Sequence, residues 1–231
     1  MGARAIALRV DSVARCAAAW HRDRHGHAAE RERAASIASP IRRAQFLAGR
    51  WLAAQSLAAR HGGPADAWHL SCVPDQPPRV LQGPGRPWLS ISHRGDSVAC
   101  AIADGPVGVD VELEDGLRGA ADERADFVLA AAEQPAFAQT AAPARAAFLL
   151  ARWTLKEAWA KRQARGLALG AMRDLVSRPL AQGGNARLWR AGGLVLAVCA
   201  EAGNLWPQPM LAGMPTATPE PWQVAPVSPR H

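Results

Sequence analysis

The stretch Gly108-Val109-Asp110-Val111-Glu112 decides how this chain folds, read with Trp153-Thr154-Leu155-Lys156-Glu157-Ala158-Trp159-Ala160-Lys161 further along. In the first, β-branched apolar residues alternate with acidic ones, the period-two pattern of a strand. Asp110 and Glu112 then share one face, about 6–7 Å apart at ~3.3 Å per residue. The second stretch reads as a helix. Its i, i+4, i+8 spacing puts Trp153, Glu157 and Lys161 on one face, with Lys156 beside them at i+3 from Trp153.

Two carboxylates on a strand and a third on a helix make Asp110, Glu112 and Glu157 a candidate hard-cation site. Mg²⁺ takes oxygen ligands and completes its octahedron with water and substrate phosphate. Lys156 and Lys161 next to such a site would suit a polyphosphate ligand. Each segment alone has a plainer reading. Glu157 and Lys161 could be an i, i+4 surface pair worth a few tenths of a kcal/mol, and Asp110 and Glu112 the solvent side of an edge strand. On these residues alone both readings stay open.

Upstream lies Ser90-Ile91-Ser92-His93. The three segments, in this order, closely resemble the signature motifs of the 4′-phosphopantetheinyl transferase superfamily, in particular its long branch typified by the surfactin-synthetase activator. The resemblance runs from about Arg42 to Leu167. It implies an α+β fold of two pseudo-symmetric halves, each a small antiparallel sheet packed with a long helix, with the active site between them.

The resemblance also implies an activity: transfer of 4′-phosphopantetheine from coenzyme A to a serine of an apo acyl, aryl or peptidyl carrier protein with an acidic face. In that reading Asp110, Glu112 and Glu157 hold Mg²⁺, and Ser92, His93 and Lys161 contact the coenzyme. Lys161, with Lys156 nearby, stabilises the phosphoryl oxygens. Either Glu157 or a metal-bound water that it orients takes the serine proton. Family members carry a helix with a central Gly-Arg, here Gly49-Arg50, and basic residues near its start help hold the nucleotide end. Arg42 or Arg43 is therefore the candidate for the coenzyme's 3′-phosphate, because a guanidinium matches phosphate in a fork. Arg50, two turns on from Arg43, is open between a coenzyme contact and a structural role. Many relatives place Gly-Lys-Pro before the next extended segment. This chain has Gln76-Pro77-Pro78-Arg79-Val80 there, so that lysine is missing, and Gly85-Arg86-Pro87 is a displaced candidate.

The remaining features set bounds. At 231 residues the chain can be one large domain or two small ones sharing a core. A diffuse net charge of +7 points to an anionic partner, whether a phosphate-rich cofactor, an acidic protein or nucleic acid. The four cysteines form no Cys-x-x-Cys pair, which argues against a zinc ribbon. Cys100 and Cys199 sit in apolar runs and read as buried free thiols, as in a reducing cytoplasm. Neither a secretory leader nor a membrane span is expected. His21, His25 and His27 invite a metal hypothesis, but Gly26 and the interspersed charges favour a solvated loop.

Along the chain the pattern predicts a first strand at Ala5 to Val10 and a helix from Ser12 to about Trp20. It then predicts a helix from Pro40 to His61, strands around Ala67 to Val73, and a hairpin of Trp88 to Ser92 and Ser97 to Ala103. After the acidic strand come two short helices within Ala120 to Ala142 and a long one from Ala144 to Gln163. Strands follow at Ala171 to Val176, Ala186 to Arg190 and Leu194 to Ala200. The halves divide as 1–106 and 107–203. From Asn204 seven prolines predict a tail, 204–231, without regular structure. A monomer is expected. A metal-dependent phosphodiesterase or nuclease, or a non-catalytic carrier-binding or nucleic-acid-binding module, would also suit the charge. Neither accounts for the three ordered motifs.

Overall fold

Ala7–Ser12 forms β1, and Ser12 turns the chain into α1, Val13–Arg22, by accepting the Arg15 N–H at 3.2 Å. The computed structural model describes residues 5–117, 119–164, 169–201, 206, 210–211 and 218–227. After α2, Ala28–Ser36, a second serine cap at Ser39 and a proline in the first turn start α3, Pro40–His61. Then come the short strands β2, His69–Leu70, and β3, Val80–Gln82, and the hairpin of β4, Trp88–Arg94, with β5, Ser97–Ala103.

The second half opens with β6, Val107–Leu113, followed by α4, Ala121–Val128, α5, Gln134–Ala138, and α6, Ala142–Arg162. A 3₁₀ turn at Leu169–Asp174 leads to β7, Leu175–Pro179, β8, Ala186–Ala191, and β9, Leu194–Ala200. The last elements are β10, Met210–Leu211, and β11, Glu220–Pro226.

Two main sheets result, β10-β1-β5-β4 and β6-β9-β8-β11-β7, antiparallel throughout except for the β1–β10 pair, and β2 with β3 makes a separate two-stranded sheet. The chain changes sheet between β5 and β6. On the first sheet, Ala48, Leu52 and Leu57 of α3 pack against Val98, Cys100 and Ile102 of β5. On the second, Leu149, Leu155 and Ala158 of α6 pack against Val195, Ala197 and Cys199 of β9. The opposite faces of the sheets meet through Leu8, Val10 and Ala101 on one side and Val109, Val111, Leu196 and Val198 on the other. The order is helix, sheet, sheet, helix, an α+β architecture in which each long helix covers one small sheet.

Three expectations need correction. The segment after Asn204 is not all irregular: Met210–Leu211 pairs with β1, and Glu220–Pro226 sits between β7 and β8 with Trp222 and Val224 buried. Its prolines fit because the pairing is staggered. Pro221 has a ladder partner only in β8 and Pro226 only in β7, so neither lacks an amide that both neighbours need. Residues 202–205, 207–209, 212–217 and 228–231 of the expected tail lie outside the described residues. Next, Ala171 to Asp174 is a 3₁₀ turn and the strand begins at Leu175. Finally, the histidine-rich stretch is only partly a solvated loop: Asp23 and Arg24 form an exposed turn, but His21 still belongs to α1, His25 is buried edge-on against Trp20, and His27 caps α2, a helix the apolar pattern does not announce.

Candidate active site between the two sheets

β4 and β6 are edge strands of different sheets and lie side by side without a backbone ladder. Serine hydroxyls take the ladder's place. Ser90 Oγ accepts the Val109 N–H at 3.1 Å and Ser92 Oγ accepts the Val111 N–H at 3.4 Å. Period two explains the pair, since Ser90, Ser92 and Arg94 project to one face of β4.

Ser92 does more than stitch. Its hydroxyl donates to Asp110 Oδ1 at 2.8 Å and accepts from Lys161 Nζ at 2.8 Å, while Lys161 reaches the same Asp110 oxygen at 2.6 Å. One donor and two lone pairs are then fully committed. The helix can lie this close because of Gly108. A Cβ there would stand 2.0 Å from the Ala158 carbonyl oxygen and 2.4 Å from the Arg162 amide nitrogen. The missing side chain brings α6 onto β6, and with it Glu157 and Lys161.

The result is a cleft of about 350 Å³ lined by Ser92, His93, Arg94, Asp110, Glu112, Trp153, Glu157 and Lys161. The face of α6 expected from its spacing is the one it presents. Arg94 is an unanticipated member: it pairs with Glu112 at 3.0 Å. The Ser90, Ser92, Arg94 alternation was the signal that could have found it.

The electrostatics are lopsided. Burial and then the neighbouring Asp110 push the Glu112 carboxyl up to about 7, with Arg94 and Lys161 pulling the other way. Glu157 is also raised, by burial first and Asp110 second. His93 is lowered, chiefly by burial and then by Lys161 and Arg42, which favours the neutral imidazole. Asp110 Oδ2 is buried with no hydrogen-bond partner among the described residues. An orphaned carboxylate oxygen beside two under-compensated carboxyls, all of them oxygen donors, fits a hard divalent cation. The three carboxylates are not drawn into a cluster within 4.8 Å here; Lys161 holds Asp110 and Arg94 holds Glu112 instead.

Lys156 is not at this site, which corrects the expectation that it stands near Lys161. One step around the helix from Glu157, its side chain is fully buried on the other side of α6. There Nζ donates to the Val128 carbonyl at 2.7 Å and to Glu133 at 2.5 Å. Arg50 and Arg43 are also elsewhere. Arg50 is buried, 4.0 Å from Glu30 and over the Phe46 ring, so its role is structural. Arg43 donates through Nε and Nη2 to the Ile37 carbonyl at 3.1 and 2.8 Å, tying down the end of α2. Arg42 is the closer to the cleft, near enough to affect His93.

Lys161 also closes two smaller pockets, of about 290 and 200 Å³. The larger is lined by Pro77, Pro78, Arg79, Arg86, Trp88 and Ala164 among others, the smaller by Asp75, Pro77, Pro78, Ser90 and Ala164. Arg86, the displaced candidate for the missing lysine, therefore shares a pocket wall with Lys161, and Arg79 lines the same pocket.

These features define a class: an α+β protein in which β6 and α6 line one cleft with three carboxyls and a lysine, a donor set that fits a hard cation. Residues 106–200 match the family model of the 4′-phosphopantetheinyl transferase superfamily. That span runs from the turn before β6 to the end of β9 and contains Asp110, Glu112, Glu157 and Lys161. No curated protein matches the chain. Among the described residues, no helix is long and apolar enough to cross a membrane.

Proposed function

We propose that this chain transfers the 4′-phosphopantetheine group of coenzyme A to a serine of an apo acyl, aryl or peptidyl carrier protein, in a Mg²⁺-dependent reaction that releases adenosine 3′,5′-bisphosphate. It would work as a monomer in the cytoplasm, where its four free cysteines stay reduced. The observation that carries the reading is the Ser92–Asp110–Lys161 contact inside the family-matched region. The serine oxygen bonds to the β-phosphorus as the bond from that phosphorus to the bridging oxygen breaks. Positioning and charge neutralisation dominate such a step.

Asp110, Glu112 and Glu157 are the residues to hold Mg²⁺, which when bound would neutralise the diphosphate. Lys161, at the junction of the carboxylate cleft and the Arg79–Arg86 pocket, donates to the phosphoryl oxygens. Ser92 holds Asp110 in place, and the neutral imidazole of His93 contacts the coenzyme. Glu157, its carboxyl raised toward neutrality, takes the serine proton directly or through a water. The excess of basic side chains suits a carrier with an acidic face.

Mass spectrometry of apo-carriers incubated with coenzyme A and Mg²⁺ tests this: a gain of ~340 Da on serine is expected. Asp110→Ala and Glu157→Ala should abolish loading while circular dichroism stays unchanged. Near-normal turnover in either variant removes the site assignment. No gain on carriers of all three kinds overturns the activity.

A further inference from the structure

His27, Glu30 and Cys72 lie on elements that do not line the cleft: the cap and first turn of α2, and the segment just after β2. One donor atom from each falls within 4.8 Å of the other two, and among the described residues no other trio of His, Cys, Asp or Glu is gathered so closely. His27 Nε2 stands 3.8 Å from Glu30 Oε2 and 3.2 Å from the Leu70 carbonyl oxygen, while Cys72 Sγ is 3.5 Å from that same oxygen. The ring nitrogen and the sulfur thus converge on one point. The His69 ring lies over His27, centroids 4.6 Å apart.

Glu30 shows that this corner is not closed by the protein alone. Its side chain is 2 % exposed, yet its partners are distant: the His27 amide at 3.4 Å and Arg50 Nη1 at 4.0 Å. That Arg50 nitrogen is itself buried without a hydrogen bond among the described residues. Along Ala-Ala-Glu-Arg-Glu-Arg-Ala-Ala-Ser, α2 buries only Glu30 and Ala34, and the Arg43 bonds to Ile37 hold its far end rather than its start. A helix with no apolar stripe depends on some other tie.

We infer that His27, Glu30 and Cys72 form a site for a borderline-soft divalent transition ion of the zinc kind, which fastens α2 to the segment following β2. An imidazole, a thiolate and a carboxylate are zinc ligands, and with water in the fourth position they complete a tetrahedron. Mg²⁺ is excluded, since it prefers oxygen throughout. Bond lengths of about 2.0–2.3 Å put tetrahedral donors roughly 3.2–3.8 Å apart. The His27 and Glu30 donors stand 3.8 Å apart, about half an ångström wider than a nitrogen and an oxygen sharing one ion, so a small side-chain movement brings them in, and Cys72, in the loop between β2 and β3, closes the rest. On binding, the ion replaces the thiol proton of Cys72, which passes to solvent.

The full chain, stripped of metal and titrated with Co²⁺, provides the test. A sulfur-to-cobalt charge-transfer band saturating at one equivalent is expected, and Zn²⁺ should displace it and raise the melting temperature by about 5 °C. Cys72→Ser should abolish the band with circular dichroism unchanged. His27→Asn, which keeps a capping oxygen but no imidazole, should weaken Co²⁺ binding at least about tenfold. Asp110→Asn should leave the band intact, which separates this site from the acidic cleft. The proposal fails if the folded wild-type chain gives no such band, or if the band survives Cys72→Ser and so belongs to another cysteine.

Discussion

Lys156 and Lys161 belong to the same helix and each pairs with a carboxylate, yet the two networks around them are built to opposite ends. Behind α6, the Glu133 carboxylate accepts from the amides of Ala130 and Ser177 at 2.9 Å each, from Ser177 Oγ at 2.6 Å and from Lys156 at 2.5 Å. Arg152 stands 3.7 Å away, and Lys156 has the Val128 carbonyl as well. In front, Asp110 has one oxygen shared by Ser92 and Lys161 and one with no partner, beside two carboxyls raised by burial and by Asp110. The same residue types, sealed from water and satisfied at the carboxylate, fix the packing, with Arg152 Nε left without a hydrogen bond among the described residues. Left incomplete at the wall of a cleft, they suit a ligand that would supply the missing charge.

Removing the acid from the sealed network should have the largest effect. Glu133→Ala leaves Lys156 and Arg152 buried without a carboxylate, which costs about 3–5 kcal/mol and lowers the melting temperature by on the order of 10 °C. Urea titration with matched thermal melts reads it. A loss under about 1 kcal/mol would mean that the rear network is no more structural than the front one.

Lys161→Ala should do the reverse. Loading of a carrier should slow about 100-fold, equivalent to roughly 3 kcal/mol of transition-state stabilisation. Its stability should change by less than about 1 kcal/mol, because Lys161 is partly exposed and water can replace it at Ser92 and Asp110. If this variant melts as early as Glu133→Ala, the contrast between the two lysines is gone.

The contrast also marks how far the sequence could be read. Trp153, Glu157 and Lys161 were legible because helical spacing alone assigns them a face, and Asp110 and Glu112 because a strand alternates. Lys156 was misplaced because i+3 from Trp153 is also one step from Glu157, and spacing does not say which side of a half-buried helix is apolar core. Its true partner, Glu133, sits in a region of weak pattern, and nothing local announces the pairing. Arg50 has the same problem: its partner Glu30 comes from a helix too polar to register. The strand at Glu220–Pro226 was hidden by its prolines, although Trp222 and Val224 alternate as a strand requires. Gly108 could be read as a motif residue, but the helix backbone it admits belongs to the tertiary structure.

A pH titration sharpens the comparison at about 1.4 kcal/mol per pKa unit. The Glu112 carboxyl titrates near 7 in the fold, above its ordinary 4.5, so the folded chain binds that proton more tightly than the unfolded one does. Without metal, the contribution of Glu112 is fully present below about 4.5 and is lost as pH rises through 7. Mg²⁺ needs the carboxylate, so its apparent affinity should fall up to about tenfold for each unit of pH below 7. Mg²⁺-dependent shifts in melting temperature across that range measure both trends. Glu112→Gln should flatten the metal-free trend, and if it does not, the raised carboxyl is not the source.

The smallest effect should come from a position outside both networks. Ala164 follows α6 with φ +52, in the left-handed region where a Cβ crowds the backbone, and its amide donates to the Lys161 carbonyl at 3.0 Å. Glycine would relieve roughly 1–2 kcal/mol of strain and lose part of that to its greater freedom when unfolded. Ala164→Gly should therefore stabilise the chain by up to about 1 kcal/mol, measured by urea titration. Because Ala164 lines the pockets that Lys161 closes, the same variant also reports on the front network. A gain in stability with loading within about twofold of the parent keeps the helix end separate from the lysine's task. A gain in stability accompanied by a tenfold loss of loading would show instead that the strained turn sets where Lys161 points.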